Sequence, residues 1–254
     1  RPDRFSARVV EGRVGLLIDG LPLGWLLPGT LSQFFKTPQD KSQGWMAASA
    51  LMVLRYLCML ITLFLPAVYI AAVTFHLEML PTELALSIIA AKQDVPFTTV
   101  FEVLLMLVAF EIIQEAGLRL PSSIGQTVSI LGGLVVGSAA VEARIVSPAV
   151  LIVVAVAGIA GYTMPSQDFA GALRIWRFGL AALASLAGMF GAAIGALLLI
   201  CHLASLESFG VAYLTPFAAN DGEQVEGHAV IRQPLPSVKL RETALKTQNR
   251  RNQR

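Results

Sequence analysis

Residues 119–148 read RLPSSIGQTVSILGGLVVGSAAVEARIVSP, and no charged residue occurs from Leu120 to Val141. Such a run is long enough to cross the hydrocarbon core of a bilayer, yet it is strewn with Gly, Ser, Thr and Gln. At helical spacing Gln126, Ser129, Gly133 and Gly137 share a face with Ala140, while Ile124, Leu131, Leu134 and Val135 point elsewhere. Polar groups persist at membrane depth where they face protein or water, so this face either packs against neighbours or lines a path. Both readings stay open on the sequence alone.

The rest of the chain has the same solvent preference. Of its 254 residues 55% are hydrophobic and only 14% charged, and the mean hydropathy is +0.67. That balance is expected of an integral membrane protein and not of a water-soluble domain. The net charge of +2 conceals a pattern: of the 19 Lys and Arg, six lie within residues 1–41 and seven within 232–254. Basic flanks around an apolar centre fit contact with an anionic cytoplasmic leaflet, and no aromatic-interleaved basic surface argues for nucleic acid. Cys58 and Cys201 sit in apolar segments and read as small hydrophobes.

Three regions follow from composition: 1–45, the end of a soluble domain and the approach to the membrane; 46–217, a helical transmembrane domain; and 218–254, a polar, basic tail expected to be disordered. The chain opens at Arg1 without an initiator Met, and so reads as part of a longer protein. From Ala7 to Leu27, β-prone runs broken at Glu11-Gly12 and Asp19-Gly20 predict a three-stranded antiparallel meander, the last strands of that soluble domain. The fold class is thus mainly α, with four to five membrane segments and one interfacial helix after a terminal β-meander.

The first segment runs over 47–75, with Arg55 near its start expected to snorkel to the headgroups. An interfacial helix is expected over 82–95. The second segment, 97–118, carries Glu102, Glu111 and Glu115, an unusual load for a lipid-exposed helix. Glu111 and Glu115 share a face and Glu102 projects to roughly the opposite one. These carboxylates either attract cations along a path or pair with Arg119, Arg144 or a neighbouring subunit. The opening stretch is the third segment and 146–164 the fourth.

The fifth segment, 178–206, is longer than one bilayer thickness and should tilt, kink or emerge. Ala184, Gly188, Ala192 and Ala196 recur at four-residue steps beside Gly191 and Gly195, which marks a close helix-helix or subunit interface. Basic residues at both ends place both termini in the cytoplasm, which needs an even number of crossings, whereas five apolar segments are counted. Either one segment re-enters, the Gly-rich stretch being the first candidate, or the helix over 82–95 crosses.

No HExxH, Ser/His or paired-Asp constellation is present, so no enzyme, metal or cofactor is expected. No internal repeat supports a secondary transporter.

Several stretches together resemble a known family. LPAVYIAAVTFHLEMLPTEL (65–84), VPFTTVFE, FEIIQEAGLRLPSSIGQTVSILGGLVVG, IVSP, HLASLESFG (202–210) and YLTPF are similar to the A subunit of the spore germinant receptors of endospore-forming bacteria. EGRVGLLIDG followed by FFKTPQD resembles that family's junction between its soluble and membrane domains. The resemblance implies nutrient-triggered germination, a transporter-like B subunit and a lipoprotein C subunit as partners, and a homo-oligomer forming an ion channel in the spore inner membrane. Leu107 stands where the family pattern leads one to expect Glu, and Ala212 where it has Pro. Placed on that expectation, Gln126 and Ser129 meet hydrated ions, Val136 forms an apolar constriction, Gly133 and Gly137 permit close packing, and Glu111 and Glu115 supply negative potential. The competing expectation is a scaffold in which the same face only packs.

Overall fold

The computed structural model describes residues 2–119, 136–217, 230–232, 234 and 245. The described chain is mainly helical, with two short antiparallel strand pairs, and it divides into two compact units. The first comprises Arg1–Leu57, Met164–Phe169 and Leu199–Arg254, and the second Cys58–Thr163 and Ala170–Leu198.

In the first unit, helix α1 (Pro2–Val10) is followed by β1 (Val14–Leu17) and β2 (Gly24–Leu27), which pair antiparallel with Val14 opposite Leu27. The expected three-stranded meander is therefore a helix and a two-stranded hairpin. Glu11-Gly12 is a chain break of another kind. Gly12 adopts φ 101 and the Arg13 N–H reaches back to the Arg8 carbonyl at 3.3 Å, which terminates a helix in the left-handed conformation glycine tolerates. The hairpin turns through Asp19-Gly20 as expected, but over a longer connection than two residues. Phe5 of α1 lies on the hairpin where Gly15 and Gly24 leave room; a Cβ at Gly15 would sit 2.2 Å from its ring.

Beyond the hairpin, two 3-10 turns (Leu31–Phe35 and Pro38–Lys41) lead to α2 (Trp45–Phe75). Phe35 is fully buried, stacked on Tyr56 with ring centroids 4.0 Å apart and set edge-on to Phe169 at 5.4 Å. Arg55 does not reach outward. It donates to both Asp40 oxygens at 2.8 and 3.0 Å and to the Phe35 carbonyl at 2.7 Å. Burial pushes the Asp40 carboxyl up, but hydrogen bonds from Arg55 and Thr37 outweigh it and hold its pKa below the ordinary value. The described tail residues also return here, with the Arg232 N–H donating to Ser49 Oγ at 2.9 Å and its guanidinium to the carbonyls of Asp40 and Gln43.

The second unit contains the end of α2, α3 (Thr82–Lys92), α4 (Thr99–Arg119), α5 (Gly137–Glu142), α6 (Pro148–Tyr162) and most of α7 (Gln167–Ser205). Ile70, Val103, Met106, Leu107, Val146, Val150, Val154 and Ala181 make its core. Contacts along the helices give their directions. Glu102 meets Ser147, and Phe110 meets Gly158 and, more distantly, Tyr162, so α4 and α6 run parallel. Thr62 donates to the Ala157 carbonyl at 3.1 Å and Tyr69, further along α2, lies beside Ser147, so α2 runs against both.

Helix α7 is interrupted at Ala187 (φ −134, ψ 18) and Gly188 (φ 60, ψ −139). Its two limbs, 167–186 and 189–205, fold back on each other: a Cβ at Gly195 would lie 2.6 Å from Leu180 Cδ2, and one at Gly191 only 2.0 Å from the Leu183 carbonyl oxygen. In an unbroken helix residues 180 and 195 would stand about 22 Å apart. Gly188 packs on Phe75 at the end of α2.

Because the atom facing Gly191 is backbone, Gly191→Ala is expected to part the limbs and lower stability by about 3 kcal/mol or more. Gly179→Ala, whose Cβ meets nothing within 4 Å, serves as the control and should stay within about 0.5 kcal/mol. Thermal unfolding in detergent distinguishes the two variants.

Candidate functional site

Of the residues singled out in the sequence, Gln126, Ser129 and Gly133 lie outside the described residues. Val136, Gly137 and Ala140 are described, and they do not behave alike. Val136, immediately before α5, is 41% exposed. Gly137 is buried, and a Cβ there would lie 3.1 Å from Leu151 of α6. Ala140 packs against the core. On this short helix Gly137 and Ala140 are therefore the seat and Val136 the free surface.

The three acidic residues of α4 are also separated. Glu111 accepts from Arg174 Nη1 at 2.5 Å and from Arg177 Nη2 at 3.3 Å. Arg177 is 1% exposed, its guanidinium 5.8 Å from the Phe178 ring centre, and its Nε has no hydrogen bond. Two guanidinium groups oppose one carboxylate, so Glu111 is countered and ties α4 to the first limb of α7. It does not present the net negative potential expected of it. Glu115, one turn further on, is exposed.

Glu102 is wholly buried. Its Oε2 accepts the Ser147 N–H at 2.8 Å, and Lys92 Nζ lies 3.9 Å from Oε1 while donating to Thr99 Oγ1. Of the partners expected for these carboxylates, Arg144 instead pairs with Asp94 at 3.2 Å across an exposed surface.

Arg174, Arg177, Lys92 and Ser147 were missed as site residues in the sequence. Arg174 and Arg177 stand three apart on one helical face, just ahead of the apolar run, which is a signal that a charged face awaits a buried partner. Lys92 and Ser147 carry no such mark, because their roles depend on which chain segments meet.

In α7, Ala184 is fully buried and Ala192 6% exposed, and Gly188, Gly191 and Gly195 sit at the fold-back. The small residues at these positions allow the two limbs of one helix to touch.

The chain matches the family described as Bacillus/Clostridium GerA spore germination protein over residues 1–244. It belongs to the GerA family. Among curated relatives it is similar to spore germination protein B1 of Bacillus subtilis (strain 168), at 43% identity over 96% of this chain and 50% of the relative. It is 42% identical to spore germination protein KA of the same organism, over 92% of this chain and 43% of the relative. The membrane protein YfkQ, also of that organism, is 40% identical over 89% of this chain and 44% of its own length. The chain thus spans about half the length of the curated relatives it matches. No solved structure matches it.

Within this GerA chain the Glu111 cluster predicts a measurable cost. Glu111→Ala leaves Arg177 buried without its counter-charge and should destabilise by about 3 kcal/mol, the low end for a broken buried pair because Glu111 is 30% exposed. Glu111→Ala/Arg177→Met should recover part of that loss in the same thermal unfolding measurement.

Proposed function

We propose that this chain is the membrane part of an A-type subunit of a nutrient germinant receptor, a non-enzymatic protein that triggers spore germination by opening an oligomeric ion channel. The observation that carries this reading is the match to germination proteins over nearly the whole chain. A transporter-like B subunit senses the germinant, a lipoprotein C subunit completes the receptor, and the assembly sits in the spore inner membrane. Residues 46–217 form the membrane domain, with 1–45 before it and the basic segment 218–254 after it. Binding in a partner shifts a closed-open equilibrium of the oligomer, because a ligand moves such an equilibrium only by its differential affinity.

Among the described residues two helices are long and apolar enough to cross a membrane, Trp45–Phe75 and Gln167–Ser205, and Pro148–Tyr162 is a shorter apolar helix. We read six passages: α2, α4, residues 120–142, α6, and the two limbs of α7. The limbs are about 30 and 26 Å long, close to the core of a bilayer. Arg174 and Arg177 are tolerated in the first limb because Glu111 meets them. This count is even, so both termini share one side, which the basic ends assign to the cytoplasm. In this reading the fold-back of α7 is the further passage that makes the count even.

A single cysteine placed at Ala187 in a background without Cys58 and Cys201 should then react with a membrane-impermeant maleimide added from outside, and one at Ser205 only after permeabilisation. Labelling of both from the same side would reject the double passage.

The path for ions follows the Gln126 to Ala140 stretch, with Gln126 and Ser129 meeting hydrated ions and Val136 forming an apolar constriction. Gly133 and Gly137 keep the packing close. Val136→Ala should raise germinant-independent ion release from intact spores while protein level and assembly stay normal; unchanged release would remove Val136 from the lining. The seating of Gly137 and Ala140 against α6 favours a second reading, a non-conducting scaffold. Absence of conductance from the reconstituted full-length subunit, with assembly intact, would decide for the scaffold.

A further inference from the structure

Glu102 occupies a place that none of the roles above absorbs. It begins α4, has no exposed surface, and faces groups from three other elements. Its Oε2 accepts the Ser147 N–H at 2.8 Å. Ser147 is the extended residue before Pro148, at the N-terminus of α6, and its side chain makes no capping bond to that helix. The carboxylate thus anchors the point where the chain enters α6. Tyr69 of α2 lies beside Ser147 on another side.

The other oxygen, Oε1, is buried and has no hydrogen-bond partner, and Lys92 Nζ stands 3.9 Å from it. Lys92 is in the last turn of α3 and is steered by Thr99 Oγ1. An ion pair in such a setting gives geometry more than stability, since desolvation offsets much of the attraction. A second link joins the same two segments, because Asp94 just beyond α3 pairs with Arg144 in the turn between α5 and α6. That pair is exposed and weak on its own. The turn itself is tight: the Ile145 and Val146 N–H groups both reach the Ala140 carbonyl, at 2.9 and 3.3 Å, and Arg144 adopts φ 56.

We propose that Glu102 is a positioning residue that locks the turn 143–147, and with it α5 and Val136, to the ends of α3 and α4. One oxygen holds the α6 entrance through the Ser147 N–H. The other holds α3 through the Lys92 ammonium. A displacement of α3 is then passed to the turn that carries α5, through one buried side chain that makes one hydrogen bond and one separable ion contact. The consequence for ion release rests on the channel reading, whereas the mechanical lock does not.

The hydrogen bond and the ion contact predict different responses in hydrogen exchange of the full-length protein in lipid nanodiscs. Glu102→Ala removes both, so amides of 143–147 and of 88–95 should exchange about tenfold faster or more. Glu102→Gln keeps an acceptor for the Ser147 N–H and loses the charge, so only 88–95 should speed up. Lys92→Met should match Glu102→Gln in 88–95 and leave 143–147 near the parent rate. The inference is overturned if Glu102→Ala leaves 143–147 unchanged. It is equally overturned if Glu102→Gln loosens that turn as much as Glu102→Ala, since a generally damaged fold and not a specific bond would then be the cause. Ion release is read in parallel on the same variants. Faster exchange at 143–147 without added release supports the lock and counts against the channel, while both together support both.

Discussion

The approach of Leu183 to Gly191 is the contact on which the arrangement of the second unit depends. A carbonyl oxygen 2.0 Å from where a Cβ would stand leaves no room for any side chain at that position. Only with glycine there, and with Gly188 at φ 60, does one long apolar sequence become two limbs lying side by side. The first limb carries Arg174 and Arg177, which meet Glu111 of α4. Without the fold-back a single straight helix of 39 residues would run about 58 Å, far beyond a bilayer core.

Charge in this chain is placed where helices need to be joined. Lipid offers little hydrophobic drive between helices, because hydrocarbon solvates leucine as well as a neighbouring helix does. Association there relies on close packing and on polar bonds. Small residues do the first at Gly137, Gly158 and the α7 limbs. Carboxylates do the second: Glu111 joins α4 to α7, and Glu102 joins α3, α4 and the entrance of α6. Asp40 plays the corresponding part in the first unit, where it receives Arg55 and carries the docking point of Arg232 on its carbonyl. The acidic residues that looked available for cations are thus largely committed to protein partners.

The helices over 45–75, 99–119 and 148–162 were legible because apolar runs of that length have one economical structure in hydrocarbon, an α-helix with its backbone bonded internally. Asp19-Gly20 was legible as a turn for a local reason, since Gly20 adopts a positive φ. Glu11-Gly12 shows the limit of such signals. A positive-φ glycine ends a helix as readily as it turns a hairpin, and the tertiary seat of Phe5 on Gly15 and Gly24 goes with the helix. Likewise the four-residue spacing in α7 announced a packing surface, but spacing does not name the partner. The partner in the second unit is the helix's own first limb.

The sequence by itself determined that the chain is apolar and mainly helical with basic ends, and which segments are apolar, because these follow from composition and local periodicity; its motifs carried the family resemblance. Tertiary structure alone decided that α4 and α6 run parallel, that α7 doubles back, and that Glu102 and Glu111 answer to Lys92, Ser147, Arg174 and Arg177. The partners of Glu102 and Glu111 stand 10 to 66 positions away, and the limbs of α7 meet between residues 8 and 15 positions apart. Local pattern carries no record of such pairings, since a buried carboxylate is satisfied by any donor that the folded chain brings within about 3 Å.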